Sequence, residues 1–171
     1  MENPDQQAPI SPVRPKFLTV LCYLTIFASS YMMLSALSGL SNPEELTKAL
    51  DKSMDSWQSV FDQALESDPK GREQFENAMM DVAAANTSSN MRDNSFFSLV
   101  SNLLTMLGAF LMLRLKKNGF RLYVLGCVIG VVAPVLVFGS GNFLGMSYAM
   151  LSGISSALFI LLYALKMKYM E

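Results

Sequence analysis

The chain has no histidine, and its 171 residues include only two cysteines, Cys22 and Cys127. Without histidine the Ser-His and Cys-His nucleophile pairs are excluded, and so are the usual zinc ligand sets. Each cysteine falls one or two turns inside a long apolar run. A structural disulfide is not expected there, because such bonds belong to oxidising compartments. Both read as small hydrophobes. No glycine-rich phosphate loop follows a strand. Hydrolysis by paired carboxylates needs two acids converging in a cleft, but the acids here interleave with Lys and Gln in one polar segment, as on a solvated helix face. The sequence therefore argues against an enzyme, and no cofactor or metal is expected.

Charge is also scarce, in a patterned way. Hydrophobic residues make up 51% of the chain and charged residues 16%, and the two kinds are segregated. Residues 17–40, 96–113, 122–138 and 143–165 contain no Asp, Glu, Lys, Arg or His. A helix needs roughly 20 mostly apolar residues to cross the hydrocarbon core. The runs lack two-residue alternation and are too long for barrel strands, which need only about 10 residues. The expected fold class is all-α: an integral membrane four-helix bundle with spans at 17–40, 96–115, 122–138 and 143–165. No intramembrane ionisable residue marks an ion path or proton relay. Ser29, Ser30, Ser35, Thr105, Ser152, Ser155 and Ser156 form the polar inventory of the spans, and such hydroxyls commonly bond to their own helix or across an interface.

The cations that are present fix an orientation. Arg114, Lys116, Lys117 and Arg121 crowd the turn between spans two and three, 116–121 being its centre. Arg14 and Lys16 precede span one, and Lys166 and Lys168 follow span four. Such residues near span ends stay in the cytoplasm, where anionic lipid attracts them. Both termini are thus expected inside the cell, with 166–171 a short cytoplasmic end. Residues 1–16 carry Pro4, Pro9, Pro12 and Pro15 among polar residues and read as a disordered cytoplasmic tail. Ala36-Leu37-Ser38 could pass for a signal cleavage site. The apolar run ahead of it exceeds the roughly 7–15 residues of a signal core, so an uncleaved anchor is expected. Nothing here suggests nucleic acid as a partner.

The phrase Arg14-Pro15-Lys16-Phe17-Leu18-Thr19-Val20-Leu21-Cys22, together with Gly119-Phe120 in the basic turn, resembles a loose group of small four-span bacterial inner-membrane proteins. The likeness covers mainly the first span. It implies a bacterial cytoplasmic membrane and no particular activity.

Residues 41–95 differ from the rest. They hold eleven acids against five cations, a net charge of −6, and should lie outside the cell. Asn42-Pro43-Glu44-Glu45 reads as a helix start, with Asn as N-cap and acids in the first turn. Leu46, Leu50, Trp57, Phe61 and Leu65 then recur on one helical face. Ser67-Asp68-Pro69 stops this helix and caps a second, along which Phe75, Met79 and Val82 repeat; Thr87-Ser88-Ser89-Asn90 ends the pattern. The expectation is an amphipathic helical hairpin. Its apolar residues Trp57, Phe61, Phe75 and Met79 either make a small core of their own, rest on the bilayer, or offer a face to a partner; a hairpin this small can also dock onto the outer ends of the spans. Asn86-Thr87-Ser88 matches a glycosylation acceptor, which matters only on a eukaryotic secretory route. Residues 139–142 form an uncharged outer turn.

In span four, Gly141, Gly145, Ala149, Gly153 and Ala157 place a small residue at every fourth position. Gly126 and Gly130 make a shorter stripe in span three, ahead of Pro134, a kink candidate. Such stripes let a neighbouring backbone come close, either within the subunit, against span three or span one, or on a second copy or another membrane protein. Met146 and Met150 lie one turn apart and suit Cu(I), but no outer Met or His cluster would feed them, so copper is disfavoured. The functional expectation is a non-enzymatic structural or accessory component that assembles through span four and presents the hairpin. The alternative is a small-solute permeation protein.

Overall fold

Residues 16–166 are described by a computed structural model; Arg14, Lys168, the tail before Lys16 and the end beyond Lys166 lie outside the described residues. Six helices account for almost all of it: α1 (Lys16–Ser41), α2 (Pro43–Ala64), α3 (Pro69–Ala85), α4 (Ser88–Leu113), α5 (Lys117–Phe138) and α6 (Phe143–Ala164). Four of them, α1, α4, α5 and α6, are long and apolar enough to cross a membrane. Their 26, 26, 22 and 22 residues give lengths of about 39 and 33 Å at about 1.5 Å per residue, enough for a core of about 30 Å.

Two boundaries depart from the expected ones. Thr87 begins α4 rather than merely ending the hairpin: its hydroxyl accepts the Asn90 N–H at 3.2 Å. Helix α4 therefore projects two turns beyond its charge-free run. At the other end of α4 the basic turn is shorter than 116–121. Lys117 to Arg121 already belong to α5, and the chain reverses at Leu115, whose φ of +58° places it in the left-handed region. A non-glycine residue is uncommon there. The strain is accepted because Lys116 N–H then reaches the Leu111 carbonyl at 3.1 Å, which covers an open helix end. Asn42 and Asp68 stand where N-caps were expected, each ahead of a proline, but neither side chain makes a capping hydrogen bond.

The four long helices form an open arc in the order α1, α4, α5, α6. The closest approach is α4 on α5, and it depends on glycine. A Cβ on Gly108 would lie 2.7 Å from Tyr123 N and 2.8 Å from Gly119 O, and one on Gly119 would lie 2.7 Å from Gly108 O. Gly126 continues the line, where a Cβ would meet Ser101 O at 2.9 Å. Ser101 donates to the Gly126 carbonyl at 2.8 Å. Helix α1 joins α4 through Ser29 and Thr105, 3.1 Å apart. Because the Thr105 proton is given to Asn102 O, Ser29 is the donor.

At the basic end the arc closes on a core of Leu18, Leu21, Cys22, Met112, Tyr123, Cys127 and Tyr163. Tyr163 is fully buried; its ring meets Tyr123 edge-on at 4.9 Å. Lys166 sits 5.4 Å over the Phe17 ring, so the ends of α1 and α6 lie together.

At the opposite end, the α2–α3 hairpin docks onto the long helices. Val82, Ala85, Met91, Phe138 and Leu144 form one buried cluster, with Leu50 and Met54 of α2 against it. Two amides fasten it. Asn142 donates to Asp81 O, and Asn86 donates to Thr47 O at 3.1 Å and Asp51 Oδ1 at 2.6 Å. Of the four residues weighed as a partner face, Phe61 and Phe75 stack at 4.3 Å within the hairpin, Met79 is half-buried, and Trp57 stays 58% exposed.

Candidate functional site: a polar cleft between the first and last spans

Because α1 and α6 converge only at the basic end, a cleft of about 530 Å³ opens between them over the middle of the bundle. Helix α1 contributes Thr25, Ser29 and Met32, and α4 contributes Asn94, Ser98, Ser101, Asn102 and Thr105. Helix α5 supplies Tyr123, Cys127 and Gly130, and α6 supplies Tyr148, Ser152, Ser155, Ser156 and Phe159. Among the described residues no charged side chain lines it. Volume and mixture of surfaces fit a small-molecule site, for which about 300–1,000 Å³ is usual.

Several lining hydroxyls are already used in holding the arc together. Thr25 and Tyr163 share a hydrogen bond of 2.8 Å at the floor. The Pro134 position explains another. Proline lacks an N–H, so the Gly130 carbonyl, four residues earlier, loses its helical partner. Helix α5 nevertheless continues through Pro134, and Ser152 of α6 supplies a donor to Gly130 O at 3.3 Å, shared with Ala149 O at 3.2 Å. A neighbouring hydroxyl commonly satisfies a proline-freed carbonyl in a membrane helix. By contrast, Asn94 and Tyr148 line the cleft without a hydrogen bond among the described residues. The cleft stops at its basic end on Tyr123 and Cys127, both part of the core there.

The glycine stripe of span four divides. Gly145 and Ala149 are buried; a Cβ on Gly145 would lie 3.0 Å from Pro134 O and 3.1 Å from Gly139 O, so this half serves contact with α5. A Cβ on Gly153 would meet only Val131, at 3.9 Å; one on Gly141 would meet nothing within 4 Å among the described residues, and Ala157 is exposed. Gly126 and Gly130 face α4 instead, against Thr105 and Ser101. Met146 and Met150 are both exposed, at 44% and 61%. Lys16, Arg114, Lys116, Lys117, Arg121 and Lys166 gather at one end of the arc, with Arg114 over the Phe110 ring at 4.7 Å.

Sequence reasoning gave Ser29, Thr105, Ser152, Ser155 and Ser156 as polar residues of the spans but left out Asn94, Ser98, Ser101 and Asn102. Those four repeat at three- and four-residue steps along α4, with Thr105 and Gly108 continuing the same face. That periodicity was the available signal. Compared with family models, curated proteins and solved structures, the chain finds no match.

Proposed function

We propose that this chain is a non-enzymatic multi-pass membrane component that assembles, with a second copy or another membrane protein, along the outer face of α6. The observation that carries this reading is the one-sided packing of α6. Only 17% of its apolar window is buried, against 28% in each of the other three long helices. Gly145 and Ala149 are taken up by α5, whereas Met150, Ile154, Ala157, Leu158 and Leu161 form a second, exposed face that includes the end of the small-residue stripe. Small residues favour helix association in lipid, where hydrophobic burial supplies no drive. The gathered cations support a cytoplasmic basic end, in a bacterial inner membrane or its equivalent, and an outward hairpin.

Replacing Ala157 with Leu adds bulk at a position without intramolecular crowding. Purified in mild detergent, the A157L protein should elute as a smaller particle, or lose its co-purifying membrane partner, while keeping its thermal stability. Unchanged particle mass and unchanged partners would refute assembly through this face. A cytoplasm-specific reporter fused after Glu171 should be active, and activity of an exterior-specific reporter there would refute the orientation.

A further inference from the structure

The cleft between α1 and α6 is separate from the outer face of α6, and its chemistry points to an occupant of its own. We infer that it binds a membrane lipid with an uncharged, hydrogen-bonding head, of the diacylglycerol kind, entering sideways from the leaflet at the hairpin end. Four observations converge on that class. The cleft opens between two helices exposed to hydrocarbon, with Met32, Tyr148 and Leu151 at its edge and 51%, 45% and 74% exposed, so the surrounding lipid is the reservoir that reaches it. Among the described residues no charged side chain lines it, and a phosphate or ammonium drawn to that depth would lie unpaired and desolvated. Asn94 and Tyr148, whose side chains make no hydrogen bond among the described residues, stand only six and five residues into α4 and α6. They therefore lie about 7–9 Å along their helices from the hairpin end, within reach of the glycerol and ester groups of a lipid in that leaflet. Tyr148 O–H and the Asn94 amide can donate to ester carbonyls, and the Asn94 carbonyl can accept a glycerol hydroxyl. Deeper in, Ala28, Leu151 and Phe159 interleave with hydroxyls already taken up, Ser155 by Leu151 O of its own helix at 3.0 Å and Ser29 and Ser152 across the arc; that surface accepts an acyl chain.

The test uses the full chain in phosphatidylcholine vesicles containing a trace of diacylglycerol with a diazirine on one acyl chain, or the same amount of phosphatidylglycerol carrying the same diazirine. On illumination, the diacylglycerol probe should label α1 and α6 residues of the cleft at least tenfold more than the phosphatidylglycerol probe. Ala28→Phe and Ser155→Phe obstruct the cleft without removing an interhelical hydrogen bond, and each should abolish that labelling. Asn94→Leu should reduce it several-fold with little loss of thermal stability, which separates a lost head-group contact from misfolding. Ile154→Phe, outside the cleft, should leave it unchanged. Equal labelling by the charged lipid, labelling spread over the exposed faces, undiminished labelling in both Phe variants, or cross-linking of a second copy through the cleft would each overturn the inference.

Discussion

Thr25 and Tyr163 stand 138 positions apart in sequence, yet their hydroxyls meet at 2.8 Å and join the first span to the last. The Tyr163 ring also fills the core at this end, with none of its surface exposed. Hydroxyl and ring therefore contribute separately. Tyr163→Phe should lower stability by about 0.5–1.5 kcal/mol, nearer the lower figure because side-chain hydrogen bonds in membranes average about 0.6 kcal/mol. Tyr163→Ala should cost about 3–5 kcal/mol through the cavity it leaves. Unfolding in detergent micelles measures both. If the Phe variant proved as damaging as the Ala variant, the ring would not be the main support of this corner.

The approach of α4 to α5 makes two glycines unequal. Gly108→Ala drives a methyl to within 2.7 Å of the Tyr123 backbone nitrogen, and neither helix can yield without separating. A loss of about 1–3 kcal/mol is expected, as for other overpacked sites. Gly141→Ala meets nothing within 4 Å and should change stability by less than about 0.5 kcal/mol. The pair is compared by thermal unfolding, and a harmless Gly108→Ala would mean that the helices stand further apart than described.

Asn86 ties α3 to α2 through Thr47 O and Asp51, while its own side-chain oxygen is buried with no partner among the described residues. The amide orientation follows from its surroundings, since the opposite one would set oxygen against two acceptors. Asn86→Ala should expose residues of α2 to limited proteolysis, with a local cost of about 1–2 kcal/mol, and leave the span core intact. Asn86→Asp places a carboxylate beside Asp51 and should open the hairpin further than Ala does. Cleavage rates at neutral pH report the order, and Asp behaving better than Ala would contradict the assigned contacts.

The long helices were legible because an uncharged run of that length has few other uses; the structure moved the start of α4 by eight residues and that of α5 by five, and the other ends by two at most. Thr87 illustrates why ends are harder. Ser88, Ser89 and Asn90 are polar enough to look like loop, yet a capping threonine followed by polar turns is also how a helix begins outside lipid. The stripe in span four was visible as periodicity, but periodicity carries no partner. Gly145 and Gly153 look alike in sequence, and only the fold shows one pressed against Pro134 O and the other in loose reach of Val131. The cleft was the least legible feature. Its lining comes from four helices at once, and whether α1 touches α6 is decided by how the glycines of α4 and α5 set the curvature between them.

Pro134 has a reach beyond its own helix. By leaving Gly130 O without a helical donor it creates an acceptor that Ser152 fills, so a defect in one span becomes an attachment point for the next. An alanine at 134 would heal α5 and, in doing so, release α6. The outermost helix of the arc would then be held at its two ends, by Gly145 and Ala149 near residues 139–142 and by Tyr163 at the basic end, and not at its middle. A substitution that looks conservative and even helix-stabilising would loosen the wall shared by the cleft and the proposed assembly surface.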